Sequence, residues 1–484
     1  MQPANLLFIL SDQHRRDFAG CYGHPTVQTP NLDRLAARGT RFTHAYTNSP
    51  ICVPARAALA TGRYVHDIGN WDNAFPYTGD VTSWGHRIRG AGLFVDSIGK
   101  LHFRGLGTDH GFSQEVEPLH VVDGVGDVLA CIREDPPRRR AMRRNIEVAG
   151  PGDSTYLQYD RRNGDNGCQW LQAHTHDEQP WVLFLSFVCP HPPFIAPPDL
   201  HAYYMQQDLP RPRQWQAQDW PDHPALARMR HFFHLDEDPF TEAELHNLAA
   251  AYHGTTTYLD QQIGRVLTTL DELGLTDNTR IIYTSDHGES LGERGHFGKF
   301  LMYEETAGIP LIMAGPDVPQ GKVLDTPISL IDCYPTILEA VGVEPSAEEA
   351  QLPGASLWEI ANAPSQNRTV FSEFHAVGTG NAFYMVRDQR YKYVHYVHEA
   401  PQFFDLHADP DEVNDLAGAP DDQALVTDFR QRLYDLLDPE AVDARAKADQ
   451  RARIAEMGGE AAVRAKGAFD NSPTPGEKAK FHQG

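Results

Sequence analysis

The chain has 484 residues, of which 41% are hydrophobic and 22% charged, a composition ordinary for a globular protein of about two domains. Its 66 acidic residues outnumber its 42 basic ones, and the net charge of −24 argues against a broad basic surface for nucleic acid. No stretch approaches the roughly 18 consecutive apolar residues of a membrane span, so no membrane contact is expected.

Several apolar runs end abruptly in polar residues, as buried parallel strands with a functional edge do. The run 5–10 ends in Ser-Asp, the run 181–188 (WVLFLSFV) is followed by CPHPP, and 280–284 (RIIYT) leads into SDHG. A further strand is predicted at 309–314, and helical patterns fall between these strands. This alternation predicts a doubly wound α/β sheet with its site along the carboxyl edge. The predicted helices lie at 29–39, 54–59, 240–273 and 328–341.

The character of the chain changes near residue 365. Three antiparallel strands are predicted at 369–374, 382–386 and 391–396, followed by an amphipathic helix at 423–437. These elements indicate a small C-terminal α+β domain.

We therefore predict a catalytic α/β domain over 1–365, a small domain over 366–440 and an extended tail over 441–484. The tail is expected to be mobile or to wrap around a neighbouring subunit, which favours a homo-oligomer. Residues 205–240, rich in Trp, Pro and His, are predicted to form an irregular insertion near the mouth of the site.

Cysteine usage and the N-terminal sequence bear on the compartment. The six cysteines are scattered without C-x-x-C pairs, which indicates free thiols in a reducing compartment. The apolar run at 5–10 is too short for a signal peptide and passes directly into SDQHRRD. We expect a cytoplasmic protein.

An ordered set of motifs identifies a family. FILSDQ lies at 8–13, CVPARAALATGR at 52–63, GKLH at 99–102, and SDHG with GHFGK within 285–299. Together with TPNLDRLAARGTRFTHAYT and FFDLHADPDEVNDLA, this set resembles the sulfatase family of the alkaline phosphatase superfamily over residues 4 to 417. The resemblance implies an alkaline-phosphatase-like mixed sheet flanked by helices, with a smaller C-terminal domain.

Cys52 is the expected nucleophile precursor. It stands in C-x-P-x-R, the pattern that a formylglycine-generating enzyme oxidises to an aldehyde, whose hydrate attacks a small anionic ester. Arg56 is one helical turn away on the same side, and by resemblance it steadies the formylglycine.

The resemblance also implies a site for one divalent metal, built from Asp12, Gln13, Asp286 and His287 together with the modified Cys52. Many sulfatases have a second Asp in place of Gln13 and an Asn in place of His287. Oxygen ligands favour Ca²⁺, whereas one imidazole is compatible with Mn²⁺, and both metals stay open.

Five further residues are expected to handle the substrate. By resemblance Lys100 and Lys299 bind the sulfate oxygens, and His102 hydrogen-bonds the formylglycine and assists sulfate release. His191, placed after the strand 181–188, is the expected acid that protonates the leaving alcohol, since the pKa of histidine lies near 6.5. Asn73 is expected to donate a hydrogen bond to a substrate oxygen.

Other reactions remain as alternatives to hydrolysis of aryl or small alkyl sulfates. A phosphonate monoester or phosphodiester hydrolase would use the same nucleophile and metal set, but such enzymes carry Tyr and Thr where this chain has Lys100 and His102. A two-metal phosphatase needs a D-x-x-x-H pair, and only Asp219 and His223 match it. A binding module without activity would lack the ligands that are present here.

Two sequence features bear on the choice of substrate. A choline-type sulfatase would need a cation–π wall, for which Trp71, Trp84 or the stretch 215–220 are candidates, although packing in the core is the simpler role for them. The arginine cluster PPRRRAMRR at 136–144 is interpreted as a solvated face.

Overall fold

The computed structural model describes residues 2–105, 107–237, 240–364 and 368–482. The predicted domain boundary at 365/366 lies outside these residues. The strands are β1 (Asn5–Asp12), β2 (Gly39–Tyr46), β3 (Phe94–Lys100), β4 (Gln114–Leu119), β5 (Gly150–Pro151), β6 (Trp181–Pro190), β7 (Ile195–Ala196), β8 (Thr279–Ser285), β9 (Ser290–Leu291), β10 (Phe297–Gly298), β11 (Gly308–Ala314), β12 (Lys322–Leu324), β13 (Ile328–Ser329), β14 (Val370–Phe374), β15 (Phe383–Arg387), β16 (Tyr391–Tyr396) and β17 (Gln402–Asp405).

Helices occupy much of the remaining chain. They are α1 (Pro30–Ala37), α2 (Cys52–Thr61), α3 (Val65–Ile68), α4 (Trp84–Gly90), α5 (Ala141–Glu147), α6 (Thr155–Ala173), α7 (Pro198–Tyr204), α8 (Pro224–Phe232), α9 (Glu242–Glu272), α10 (Glu304–Ala307), α11 (Cys333–Ala340), α12 (Leu357–Asn362), α13 (Gln423–Leu436), α14 (Pro439–Glu456) and α15 (Glu460–Lys466). Among these helices, none has both the length and the apolar character that a membrane crossing requires.

The central sheet is mixed. Its strands run in the order β12-β2-β11-β8-β1-β6-β3-β4, with β13 also paired to β2. Strands β8, β1, β6, β3 and β4 are mutually parallel, whereas β11 is antiparallel to both of its neighbours. The parallel core places the carboxyl ends of β1, β3, β6 and β8 at one edge, which is where the sequence predicts the site.

Neighbouring residues of β1 point to opposite faces of the sheet. Helices cover both of these faces. Leu7 and Ile9 pack in the same apolar layer as Ile263 of α9. On the other face Phe8 packs in a layer with Ala57 of α2. This three-layer arrangement confirms the predicted doubly wound α/β class.

The C-terminal part contains a second sheet, in which β14, β15, β16 and β17 form an antiparallel meander. Helix α13 covers this sheet with Phe429 and Leu433. One predicted helix differs, because 328–341 divides into the short strand β13, a 3₁₀ turn and α11. The side chain of Ser329 accepts from the backbone of Asp332, whose carboxylate in turn accepts from Ser329 N, and this reciprocal cap delays the start of the helix.

Residues after 438 differ from the predicted extended tail, because they form α14 and α15. Asp438 caps α14 by accepting from the backbone N–H of Ala441 at 2.9 Å, and Pro439 occupies the first turn. The many Ala, Arg and Glu residues of this stretch favour helix. The helix lies against its own chain, since Trp71 Nε1 donates to Asp449 at 2.8 Å.

The stretch 205–240 is also more regular than predicted. Helix α8 occupies 224–232 and buries Leu226, Met229 and Phe232. Residues 238–239, at the end of this predicted insertion, lie outside the described residues. The six cysteines are all free thiols, as predicted.

Candidate active site

The candidate site lies at the carboxyl edge of the central sheet. Asp12 ends β1, Lys100 ends β3, His191 follows β6 and Asp286 follows β8. Because these strands are parallel neighbours, residues that are far apart in sequence meet there. Cys52, the first residue of α2, faces the same edge, and its N-cap residue Ile51 is in extended conformation.

Cys52 is fully buried and lies among charged groups. Its sulfur is 2.8 Å from Lys299 Nζ, 3.1 Å from His287 Nε2 and 3.7 Å from Asp12 Oδ1. Burial and Asp12 raise the pKa of the thiol, but Lys299 and His287 outweigh them and hold it below its ordinary value. Residue 52 is therefore placed where negative charge is stabilised.

Asp12, Cys52, Asp286 and His287 form one ligand cluster, in which an atom from each residue lies within 4.8 Å of the others. The backbone N–H of Gln13 donates to Asp286 Oδ1 at 3.1 Å, which brings the predicted fifth ligand beside this cluster. Two carboxylates, an amide oxygen and an imidazole fit a divalent cation.

His287 has its free ring nitrogen directed at the cluster. Its Nδ1 lies 3.0 Å from the carbonyl oxygen of Gly288, which can only accept, so Nδ1 carries the proton and Nε2 faces Cys52. Burial lowers the pKa of His287, whereas Asp286 and Cys52 raise it above the ordinary value. The hydrogen bond from Nδ1 to Gly288 is of the kind that orients metal-binding imidazoles.

Arg56 fixes the two carboxylates. Its Nη2 donates to Asp12 at 3.0 Å and its Nε to Asp286 at 2.8 Å. Its Nη1 donates to the backbone oxygen of Lys100 at 2.6 Å and to Ser186 Oγ at 3.0 Å. The hydrogen bonds of Arg56 thus hold the carboxylates rather than residue 52 itself.

Lys100 lies below the cavity with only 1% of its side chain exposed, and its Nζ pairs with Asp12 at 2.7 Å. Burial raises the pKa of Asp12, but Lys100, His191 and Arg56 together hold it well below the ordinary value. Asp12 is therefore ionised in the folded protein.

His191 and Lys299 form a pair above Cys52. The Nδ1 of His191 lies 2.6 Å from the carbonyl of Pro192, so Nδ1 is protonated and Nε2 accepts from Lys299 Nζ at 3.2 Å. Burial, with Lys299 and Lys100 nearby, holds the pKa of His191 well below its usual value. Lys299 Nζ therefore carries the proton that lies between these two side chains.

His102 reaches the cavity from the loop after β3 with a left-handed backbone, φ 60°. Its Nε2 lies 3.0 Å from Ser472 Oγ, and its Nδ1 has no hydrogen-bond partner among the described residues. Burial, together with Lys100 and Arg56, holds the pKa of His102 well below its ordinary value. The ring is neutral, with one nitrogen free.

The cavity above Cys52 is small, about 90 Å³ in volume. Six of the predicted site residues line it, whereas Asp12, Arg56, Lys100, Asp286 and His287 lie beneath its floor. Asn73 Oδ1 accepts from the backbone N–H of Val53 at 3.2 Å, so Asn73 also ties α2 to the wall of the cavity. The six residues are Gln13, Cys52, Asn73, His102, His191 and Lys299.

The cavity wall is apolar on one side, with Phe233, Phe300 and Phe469 among its residues. The tryptophans considered for a cation–π wall do not line it. Trp71 and Trp84 are buried in apolar clusters elsewhere, which agrees with the packing role. Trp215 and Trp220 are likewise absent from the lining.

Sequence reasoning missed the C-terminal contribution to this wall. Ser472 contacts His102, and its carbonyl accepts from Tyr156 Oη at 2.5 Å. Asp470 is held by Arg144 through two hydrogen bonds of 2.6 Å. The only local signal was the polar triplet 470–472 after an aromatic residue.

Two other residues were missed. Arg139 of the arginine cluster is 7% exposed and lines the cavity, paired with Asp127, instead of facing solvent. Glu289 is fully buried, accepts from the side-chain amide of Gln13, and accepts from Gly298 N at 2.6 Å. The amide oxygen of Gln13 is thereby directed to Lys299 Nζ, 3.0 Å away.

The chain matches known families and proteins over most of its length. A family model described as "Sulfatase" matches residues 4–343, and one described as "N-sulphoglucosamine sulphohydrolase, C-terminal" matches residues 292–438. A choline-sulfatase of Rhizobium meliloti is 29% identical over 472 residues, 93% of this chain and 90% of the relative. Arylsulfatase K of Bos taurus is 30% identical over 439 residues, 85% of this chain and 78% of the relative.

Solved structures share the fold. The phosphonate monoester hydrolase of Agrobacterium radiobacter superposes with a TM-score of 0.71 at 24% identity, covering 92% of this chain and 96% of that one. A phosphonate monoester hydrolase from Silicibacter pomeroyi gives 0.72 at 24% identity, covering 99% of both chains. At these identities the likeness concerns the architecture.

Proposed function

Since the chain belongs to the sulfatase family, we propose that it hydrolyses sulfate esters of aryl or small alkyl alcohols with a nucleophile made from Cys52. The observation that carries this proposal is the position of the Cys52 sulfur. It lies at the floor of the cavity, between Lys299 and the other three members of the ligand cluster.

The proposed reaction needs two groups, a formylglycine at residue 52 and a bound divalent cation. Oxidised to formylglycine by a formylglycine-generating enzyme, residue 52 would present a hydrated aldehyde whose hydroxyl is nucleophilic. Asp12, Gln13, Asp286 and His287 would hold a divalent cation, Ca²⁺ or Mn²⁺, which supplies positive charge beside that hydroxyl and lowers its pKa.

Cationic side chains would neutralise the transferred sulfate. Lys299 reaches residue 52 directly, and Lys100 lies one layer below, next to Asp12. Both lysines are buried, Lys299 in the cavity and Lys100 beneath it, so these charges act in a medium of low dielectric constant and need no reorganisation during the reaction. Asn73 adds a polar group at the N-terminus of α2.

Proton transfer falls to the two histidines. The leaving alcohol takes its proton from the His191–Lys299 pair, in which Pro192 fixes the ring so that Nε2 faces the cavity. His102, neutral and with Nδ1 unpartnered among the described residues, would accept the proton that residue 52 gives up as sulfate leaves.

Lys100 and His102 favour a sulfate over a phosphonate monoester or phosphodiester. The phosphonate monoester and phosphodiester hydrolases considered above carry Tyr and Thr at these two positions, where this chain has Lys and His. Residues 439–482 contact their own chain instead of extending as the predicted tail. Homo-oligomer formation therefore stays a prediction.

Two measurements test the proposal. Peptide mapping of active protein should show residue 52 lighter than cysteine by about 18 Da, the difference between a thiol and an aldehyde. Initial rates with matched aryl sulfate, phosphonate monoester and phosphodiester substrates should be highest for the sulfate. An unmodified Cys52 in active enzyme, or a faster phosphonate reaction, would overturn it.

A further inference from the structure

A second cluster of ligand-type side chains lies on the edge strand β4, outside the candidate active site. His110 precedes β4, Glu115 belongs to it, and His120 follows it directly. One ligand atom from each residue lies within 4.8 Å of the other two. The Nδ1 of His110 is 2.8 Å from Glu115 Oε1, and the Nε2 of His120 is 3.3 Å from Glu115 Oε2.

The hydrogen bonds around His110 fix which of its nitrogens carries a proton. Thr108 Oγ1 donates its single proton to the carbonyl oxygen of Gly105 at 2.6 Å. The same oxygen lies 2.7 Å from His110 Nε2, so Nε2–H must be the donor in that bond. The neutral ring therefore presents the lone pair of Nδ1 to Glu115.

A lone pair cannot face a carboxylate without a cation between them. Either a second proton or a metal ion must lie between Nδ1 of His110 and Oε1 of Glu115. A metal ion can take that place without a second proton on the ring, because Nε2–H already donates to Thr108 Oγ1.

We propose that His110, Glu115 and His120 form a zinc site, separate from the metal site of the sulfatase reaction. Two imidazoles and one carboxylate are a donor set that Zn²⁺ prefers, with water in the fourth position. In tetrahedral zinc, neighbouring ligand atoms lie about 3.3 Å apart, close to the spacing of His120 and Glu115 here. Glu115 and His120 are 23% and 19% exposed, which leaves a path for the ion and its water.

The site would clamp the loop that carries His102. Leu119, the residue before His120, accepts the backbone N–H of both Leu101 and His102, at 3.2 and 2.8 Å. Gly105 lies against the His120 ring, where a Cβ would come within 2.9 Å of it. A metal ion here would therefore hold His110, in the segment before β4, against Glu115 and His120, next to the residues that bind the backbone of His102.

Zinc binding to the full-length chain tests the proposal. The carboxylate ligands of the candidate active site are replaced, so that metal binding there does not contribute to the measurement. The double variant Asp12→Asn/Asp286→Asn, freed of metal with a chelator, should bind one equivalent of Zn²⁺ by calorimetry. Adding Glu115→Gln should weaken that binding by at least about 100-fold, because a ligand is lost. His231→Gln, which alters an exposed cluster with Asp236 and Glu237, should leave it unchanged.

A second measurement does not depend on the Glu115 variant. Co²⁺ bound to the double variant should give the visible absorption of a tetrahedral site with nitrogen ligands. Absence of zinc binding, retention of it in Glu115→Gln, loss of it in His231→Gln, or an octahedral cobalt spectrum would overturn the proposal. The sulfatase assignment is untouched by any of these results, since none of them measures hydrolysis.

Discussion

The ammonium nitrogen of Lys299 lies 2.8 Å from the sulfur of Cys52. A residue 247 positions further along the chain thus contributes the nearest positive charge to the proposed nucleophile. Burial lowers the pKa of Lys299, whereas Cys52 and Asp12 raise it above the ordinary value, so this charge persists across the neutral pH range.

Lys299→Met keeps the length of the side chain and removes its charge. We expect kcat for an aryl sulfate to fall by about 100- to 1,000-fold, the usual effect of removing one preorganised donor from a reacting centre. Lys478→Met, at an exposed lysine, is the control and should retain full activity. A loss of less than about tenfold in Lys299→Met would argue against its catalytic role.

His191→Ala should affect poor leaving groups most. An alkoxide leaving group needs a proton, whereas a nitrophenolate leaves without one, so the loss of kcat should grow with the pKa of the leaving alcohol. The check is a series of aryl sulfates measured with both proteins. Equal losses across the series would show that His191 does not act in protonation.

Arg56→Met should destabilise the metal-free protein by about 3 to 5 kcal/mol, because buried Asp12 and Asp286 lose the guanidinium that joins them and only Asp12 keeps a lysine partner, Lys100. Urea unfolding in the presence of a chelator measures this change. Ca²⁺ or Mn²⁺ should restore part of the lost stability by binding between Asp12 and Asp286. Arg63→Met, which breaks an exposed pair with Glu348, should cost less than about 1 kcal/mol.

Ending the chain after Gly467 removes Phe469, Asp470 and Ser472 from the cavity wall. We expect kcat/KM to fall by about 10- to 100-fold, because His102 loses its partner and the substrate loses one wall. A chain ended after Glu477 keeps the segment, including the bond from Thr474 N to Glu477, and serves as the matched control. Equal activity of the two truncations would exclude a role for the wall.

Glu373 links the small sheet to the segment after α2, and its stability contribution depends on pH. It is fully buried, 2.9 Å from His66 Nδ1 and 2.8 Å from His375 Nε2. Burial raises its pKa, but the two histidines lower it to about 2, below the ordinary glutamate value of 4.5. Its contribution is therefore complete above pH 4.5 and is lost as the pH falls towards 2.

Glu373→Gln should accordingly lower the free energy of unfolding at pH 7 by about 3 kcal/mol, the equivalent of the pKa shift. The difference from the unmodified protein should shrink as the pH falls below 4.5. Denaturant unfolding at a series of pH values checks this. A difference that is constant with pH would show that the charge of Glu373 is not the cause.

The strands that carry the site can be predicted from the sequence, because each is specified by a run of neighbouring apolar residues. The apolar runs before Asp12, His191 and Asp286 are long and continuous, as strands buried on both faces must be. Each run is followed by a polar residue of a recognisable motif. The sequence therefore predicts both the strand and the functional residue at its end. The structure confirms these strands and the α/β class.

The missed residues depend on contacts between distant parts of the chain. Ser472 meets His102 across 370 positions, and no periodicity near either residue encodes that contact. Arg139 was interpreted as solvated because arginine clusters usually are, but its partner Asp127 holds it in the wall. Tertiary packing decides such positions, and it is invisible in a single sequence.

The burial of Cys52 also sets an order of events during synthesis. Once α2 has packed against the sheet, the thiol has no exposed surface. An enzyme that oxidises it must therefore act on the nascent or unfolded chain, and a molecule that folds first keeps its cysteine.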